Sequence, residues 1–210
     1  MPRRRTIAPV RPSAAIEEAY RRRLDALLEE MHRSLVYWLT AHYRANQPEI
    51  SKLAADDSPA VNLRNAFRRL ARRWTRRFDD LSSDLAKYFA IQTAQRSTSA
   101  LQSMLKRGGM SVRFRMTRAM NDVMQATLTQ QVSLIKSIPA QYLTQIEGSV
   151  MRSVQAGRDL GSLTKELEDH YGVTRRRAAF IARSQNNLAT ASMTRVRQQE
   201  AGITEAIWVH

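Results

Sequence analysis

The spacing of apolar positions predicts long helices in the first half of the chain. Between Ala14 and Ala45, apolar residues and one histidine recur at steps of three or four residues, the period of an amphipathic helix. These positions are Ile16, Tyr20, Leu24, Leu27, Met31, Leu35, Trp38 and His42. A second helix is predicted from Pro59 to about Arg107, with Leu63, Phe67, Leu70, Trp74, Phe78, Leu81, Leu85 and Tyr88 on one face. Since neither helix can bury its apolar stripe alone, we expect an antiparallel hairpin.

Breaks in the pattern indicate where these helices begin and end. Asn46 to Ser58 contains Pro48 and two adjacent aspartates, which is typical of a linker. Ser58 followed by Pro59 gives an N-cap and a residue preset for the first helical turn. Gly108 and Gly109 are expected to end the second helix.

Two stretches of alternating residues predict short strands. In Met110–Met116 the apolar side chains occupy every second position, and Ile203–His210 shows the same period of two. Both are expected to be strands with one exposed face.

Four further helices are expected between these strands. One begins after a Thr117 cap and stops before Pro139, and the next begins at Pro139 and closes near Gly157. Ser162 to Tyr171 is predicted as a short helix ended by Gly172. Thr174 is expected to cap a longer helix that Gly202 stops.

The predicted fold class is mainly α, with a long N-terminal helical hairpin and a helical domain that carries a few short strands. The predicted organisation is a basic flexible arm at 1–13, the hairpin at 14–109 and the second domain at 110–210.

Composition narrows the class of partner. Lys and Arg number 34 against 19 acidic residues, a formal net charge of +15, which predicts attraction to nucleic acid and to acidic protein surfaces. The chain has no cysteine, which excludes disulfides and thiolate metal sites within it. No apolar run is long enough to span a bilayer, and the first residues lack the apolar segment of a signal peptide.

The most basic segment is Arg64–Arg77, where no acid interrupts a series of arginines and Phe67, Leu70 and Trp74 form the opposite face. The candidate contact residues are Arg64, Arg68, Arg69, Arg72, Arg73, Arg76 and Arg77. Guanidinium groups suit phosphate oxygens and carboxylates. DNA phosphates, an acidic protein surface, and plain solvation with internal ion pairs are the three readings that the sequence leaves open.

Two smaller basic clusters complete the candidate contact set. Arg3, Arg4 and Arg5 lie in a proline-containing arm that is either a solvated tail or an arm that orders on a partner. Arg175 and Arg176 are expected at the start of a helix, where positive charge opposes the helix dipole and so favours an anionic partner.

Catalytic patterns are lacking. The four histidines have no metal-ligand spacing, Gly108-Gly109 lacks the Lys-Ser/Thr of a phosphate loop, and no acidic pair stands out as an acid and base. We therefore expect no catalytic, cofactor-binding or metal-binding residue, no cofactor, and no enzymatic activity.

The stretch from Gly157 to Trp208 carries a longer motif. It contains a short helix, an Arg-Ala-x-x-Ile-Ala-Arg helix, a glycine turn and a strand with tryptophan, in that order. In this it resembles the head-morphogenesis domain of tailed-phage minor head proteins, the family typified by the phage Mu protein F-like proteins. The motif residues, for which the resemblance implies a structural role, are Arg177, Ala178, Ile181, Ala182, Arg183, Gly202 and Trp208.

The resemblance covers about half of the chain, from Met110 to His210, and includes phrases such as Leu134–Leu143 that are similar to one subgroup. Many members have an acidic residue where Gln185 stands, so no carboxylate role is carried over. Members also continue past the tryptophan strand. We therefore expect the domain to be incomplete at its C-terminus and the sequence to be part of a longer protein.

The resemblance implies a minor structural protein of a phage or prophage head, acting at or near the portal during assembly. The implied partners are the portal protein, major capsid or scaffold proteins, non-specifically bound double-stranded DNA and further copies of the chain, with no membrane. The implied location is inside the virion head near the portal vertex, and the host cytoplasm during assembly. Two rivals stay open: a non-catalytic DNA-binding helical protein, and the N-terminal part of a longer toxin-like enzyme.

Overall fold

Four α-helices account for most of the chain in the computed structural model, which describes residues 8–45, 59–157 and 159–203. They are α1 (Ala14–Ala45), α2 (Pro59–Arg107), α3 (Arg118–Gln155) and α4 (Leu160–Glu200). The predicted bounds of the first two helices are confirmed. The predicted linker at Asn46–Ser58, with its capping serine, lies outside the described residues.

The predicted strands are wrong where they can be compared, because the described residues contain no strand and the fold there is all-helical. Met110–Met116 has no regular secondary structure, so strand formation does not explain the alternation of apolar and polar residues in it. Val112 and Phe114 pack against a small cluster of Leu101, Met104 and Leu105, while the intervening arginines are exposed. Among the residues that the structure describes, none pairs with this segment to make a ladder. The second predicted strand, apart from Ile203 itself, lies outside the described residues.

The predicted helix break at Pro139 is also wrong, because α3 runs through it. A proline in a helix removes one backbone hydrogen bond and crowds the preceding turn. Here polar side chains cross-link that turn: Arg177 donates to the carbonyl oxygen of Ser137 at 3.2 Å and to its hydroxyl at 3.1 Å. The Ser137 hydroxyl donates in turn to the carbonyl of Leu134 at 2.7 Å. The packing of Pro139, which is buried, and these bonds offset the loss.

A second predicted break, at Gly172, is likewise absent. α4 continues through Gly172, and Thr174 is an interior residue whose hydroxyl donates to the carbonyl of His170 at 2.8 Å. A threonine that bonds back to the preceding turn is compatible with a helix interior. The helix is capped instead by Asp159, whose carboxylate accepts from the N–H groups of Gly161 and Ser162. The Ser162 hydroxyl and N–H donate to this carboxylate, which lowers the pKa of Asp159 from its ordinary value.

Four of the predicted helix ends are confirmed: the stops at Gly109, Gly157 and Gly202, and the start after Thr117. Gly109 (φ 81°) and Gly202 (φ 74°) adopt the left-handed conformation, and the residue after each donates to a carbonyl five positions earlier. This is the Schellman arrangement, which satisfies the last carbonyls of a helix. At the start of α3, the Thr117 hydroxyl accepts from the N–H of Met120 at 3.2 Å, as an N-cap does.

The described residues form two compact units, each with segments from all four helices. One unit, here called the arginine unit, comprises Arg21–Ser82 and Leu134–Phe180. The other, here called the polar-core unit, comprises residues up to Tyr20, Ser83–Ser133 and residues from Ile181. The boundary predicted at 109/110 remains a prediction.

The arginine unit has an apolar core. Within it α1 and α2 are antiparallel, since Glu30 contacts Arg77 while the end of α1 lies beside the start of α2. The core residues are Leu24, Leu28, Met31, Leu35, Leu39, Tyr43, Leu63, Phe67, Trp74, Phe78, Ile135, Ile138, Tyr142, Leu143, Ile146, Val150, Leu163, Leu167 and Ala178.

The polar-core unit buries more polar side chains than its apolar pattern predicts. Tyr20 donates to Gln131 at 2.8 Å, and Gln131 donates to Gln185 at 2.8 Å, which connects α1, α3 and α4. Further buried polar residues are Thr93, Ser97, Thr127, Asn186, Thr190, Thr194 and Arg197. Leu128, predicted on the apolar face of α3, is only half-buried, while Thr127 and Gln131 are buried.

The predicted buried face is displaced by one residue at several positions. Leu28, Leu39 and Tyr43 are buried where Leu27, Trp38 and His42 are predicted. Similarly, α2 buries Ser82 and Phe89 instead of Leu81 and Tyr88. In most of these cases the neighbour is also apolar, so the pattern fits either face.

Candidate arginine-rich interface

The N-terminal part of α2 presents its arginines to solvent because the intervening apolar residues are buried. Leu63, Phe67, Trp74 and Phe78 lie at helical spacing in the core of the arginine unit. All seven predicted contact arginines of this segment are exposed, as expected: Arg64, Arg68, Arg69, Arg72, Arg73, Arg76 and Arg77. Their role as contacts stays a prediction.

Three of these arginines have acidic neighbours within the unit. Glu147 of α3 lies 3.8 Å from Arg64 and 3.5 Å from Arg68. Arg77 donates to Glu30 of α1 at 2.7 Å, and its guanidinium lies 5.4 Å from the centre of the Trp74 ring. These groups are half exposed, so each pair contributes little to stability. For these arginines the reading of internal ion pairs applies.

The other four arginines, here called the arginine surface, are Arg69, Arg72, Arg73 and Arg76. Across the described residues, none of the four forms a hydrogen bond or an ion pair. Together with Arg77 and Asp80 they line a shallow pocket of about 590 Å³. Four unpaired guanidinium groups on two turns of helix repel one another, and an anion placed over them would lower that repulsion.

The remaining predicted contact arginines have different settings. Arg175 and Arg176 lie inside α4, so the argument from a helix start is wrong. Arg175 lies 3.6 Å from Asp25 and 5.7 Å from the centre of the Tyr171 ring, whereas Arg176 is exposed and has no partner in the described part of the chain. Arg3, Arg4 and Arg5 lie outside the described residues.

The motif residues of α4 are placed for packing. Ala178, Ile181 and Ala182 are buried, and Arg177 bonds to Ser137. Arg183 lies 3.5 Å from Glu17 and Gly202 forms the helix stop, while Trp208 is outside the described residues. Phe180, within the same motif, is 70% exposed.

An apolar groove beside the arginine surface is a feature that the sequence pattern did not reveal. It has a volume of about 530 Å³ and lies between the end of α1 and the start of α2. Its lining residues are Trp38, Leu39, Ala41, His42, Ala45, Leu63, Ala66, Phe67, Arg69, Leu70 and Arg73. Trp38 is 54% exposed, whereas the sequence pattern places it on the buried face, so the pattern contains no signal of this groove.

The sequence pattern also did not predict a polar cluster in the arginine unit. Buried His32 contacts the Tyr142 hydroxyl at 2.8 Å and Glu168 at 3.1 Å, and it stacks on Tyr171 with ring centres 4.2 Å apart. When the imidazole is neutral, the glutamate accepts from Nε2–H, so Nδ1 accepts from the tyrosine hydroxyl. Burial, with a further contribution from the charge of Glu168, raises the pKa of Tyr142 and keeps it a donor. This arrangement explains His32 as a structural residue.

Within the described residues, no three His, Asp or Glu side chains are close enough together to hold a metal ion. No helix among them is both long and apolar enough to cross a membrane.

Comparison with known proteins adds little to this picture. No family model matches the chain, and no solved structure matches it. A protein of Haemophilus influenzae Rd, described only as uncharacterized, is 36% identical over 77 residues. The matched stretch covers 37% of this chain and 17% of that relative, so the chain spans a small part of the relative's length.

Proposed function

We propose that the chain belongs to a minor structural protein of a tailed-phage or prophage head, acting at or near the portal during head assembly. The likeness of residues 157–208 to the head-morphogenesis domain supports the particle role. The arginine surface supports the mode of action, which is adhesion to polyanionic surfaces: packaged DNA, or acidic faces of the portal and neighbouring subunits.

The observation that carries the adhesive role is the set of four exposed arginines without an acidic partner in the described residues. Glu147 and Glu30 contact Arg64, Arg68 and Arg77 and do not contact the arginine surface. Guanidinium forks pair with phosphate oxygens and carboxylates with equal geometric ease. Such a surface is suited to binding without sequence specificity.

The particle role is tested by quantitative mass spectrometry on density-purified particles and empty proheads from the source phage or induced prophage. Peptides of this chain are expected at a copy number of the order of one portal ring. Their absence from both kinds of particle would overturn the structural role and leave a free DNA-binding protein.

That second candidate, a non-catalytic DNA-binding helical protein, is favoured by the same arginine surface and by the net charge of +15. Binding to duplex DNA through six to ten phosphates should weaken by about 10³ to 10⁵ between about 50 and 200 mM salt. The triple substitution of Arg69, Arg72 and Arg76 by Gln should reduce both the affinity for DNA and the slope of its salt dependence. An unchanged affinity for DNA would exclude these arginines as phosphate contacts.

A further inference from the structure

The groove between α1 and α2 combines an apolar floor with a basic rim. Leu39, Leu63 and Phe67 are buried in its floor, and Ala66 leaves space because its side chain is small. A volume of about 530 Å³ falls within the range of concave binding sites. The feature is therefore large enough to receive several apolar side chains.

The rim of the groove is positively charged. Arg69 and Arg73 line the groove, and neither has an acidic partner in the described part of the chain. The nearest acid along α2, Asp79, is six residues beyond Arg73, about 9 Å along the helix axis. A ligand that fills the groove would therefore meet, on one side, two guanidinium groups that have no acidic partner among residues 8–45, 59–157 and 159–203.

Trp38 marks the groove as an interface. Trp38 lines the groove yet is 54% exposed, which leaves a large aromatic side chain in contact with water. Tryptophan and arginine are the residue types that most often dominate binding energy at protein interfaces. Both types occur here on adjacent walls.

We propose that this groove docks one amphipathic helix of a partner protein, whose leucine-like side chains enter between α1 and α2 and whose aspartates or glutamates pair with Arg69 and Arg73. A row of anchors at i, i+3 or i+4, and i+7 is the form in which a helix fills a groove. Duplex DNA offers phosphates to the arginines but no apolar side chain for Leu39, Leu63 and Phe67. The inference goes beyond the proposed function, because it applies to any protein partner of this chemistry.

The test uses the full chain and a fluorescent helical peptide of about five turns. The peptide carries leucine along one face and glutamate on both flanks, and a matched peptide carries lysine in place of glutamate. Fluorescence anisotropy gives the dissociation constants. We expect saturable binding of the glutamate peptide and binding at least about tenfold weaker for the lysine peptide, because the rim then repels it.

Substitutions locate the binding site. Ala66→Phe fills the groove and Trp38→Ala removes its exposed wall; each should weaken binding of the glutamate peptide by about tenfold or more. Arg69→Gln with Arg73→Gln should have a similar effect. The matched control is Arg72→Gln with Arg76→Gln, which removes the same charge from the same helix outside the groove. It should change the dissociation constant by no more than about threefold.

Three results would overturn the proposal. They are the absence of saturable binding of the glutamate peptide, an equal loss of affinity for that peptide in the two double arginine variants, and undiminished affinity of the Trp38→Ala variant for it. Because Trp38 is exposed, Trp38→Ala leaves the core intact. This variant therefore tests the groove even if Ala66→Phe disturbs folding. Equal losses would instead indicate a diffuse contact with any polyanion. Duplex DNA is titrated separately against the same variants, and its affinity should fall similarly with both pairs of arginine substitutions. A failure of the groove proposal and a failure of the polyanion contact are therefore distinguishable.

Discussion

At the scale of the residue, Arg197 shows how a buried charge is accommodated in the polar-core unit. It is 4% exposed and donates to the carbonyl of Arg115 at 2.6 Å and to Glu200 at 2.7 Å. A weaker bond at 3.3 Å reaches Thr98, and the guanidinium lies 5.2 Å from the centre of the Phe114 ring. One side chain thereby holds the irregular segment after α2 against α4. A five-donor planar group is suited to so many directions at once.

We therefore predict that Arg197→Met destabilises the protein by about 1–3 kcal/mol, because the Arg115 carbonyl and the partly exposed Glu200 carboxylate lose hydrogen bonds from a buried guanidinium. Arg195→Met is the matched control: Arg195 is exposed on the same helix, and its replacement should change the free energy of unfolding by less than about 0.5 kcal/mol. Urea denaturation followed by circular dichroism measures both. A loss below about 1 kcal/mol for Arg197→Met would show that the network contributes little.

At the scale of the element, α4 continues through Gly172, and this reverses the stability change expected when that glycine is replaced by alanine. A glycine that stops a helix has a positive φ, and alanine there is strained; a glycine inside a helix is less stable than alanine. A Cβ at position 172 would meet the Arg176 side chain at 3.6 Å, an ordinary contact. Gly202, by contrast, ends the helix with φ 74°.

Gly172→Ala should thus stabilise the protein by about 0.5–1 kcal/mol. Gly202→Ala, the companion substitution at a true helix stop, should destabilise it by about 1 kcal/mol or more. Thermal melts of both variants and of the parent chain show whether each substitution raises or lowers the melting temperature. A destabilised Gly172→Ala would mean that α4 is interrupted at 172.

Local patterning was sufficient for the bounds of α1 and α2 and for the helix stops at Gly109 and Gly202, whereas tertiary context decided the continuity of the helices at Pro139 and Gly172. Leu27 and Leu28 are both leucine, so which one is buried depends on the neighbouring helices. Gln131 looks like a surface residue until Tyr20 and Gln185 are placed around it. The exposure of the arginines followed from the sequence because seven fall between buried apolar positions of one helix. The groove did not, because half of its lining comes from another helix.

At the scale of the whole molecule, both compact units draw on both halves of the chain. In the polar-core unit Tyr20 bonds to Gln131, and in the arginine unit His32 bonds to Tyr142. The apolar stripe of α1 is therefore covered by α3 and α4 as well as by α2. A helical hairpin ending at Gly109 would leave one side of both of its helices without a partner.

We accordingly predict that neither residues 1–109 nor residues 110–210 fold cooperatively alone, although each fragment retains helix. Mixing the two fragments should restore a cooperative thermal transition, because the buried contacts of α1 with α3 and α4 form again. Circular dichroism melts of each fragment, of the mixture and of the full chain make the comparison. Cooperative melting of the 1–109 fragment by itself would instead establish the hairpin as an independent domain, and the contacts of His32 and Tyr20 would then be dispensable for its stability.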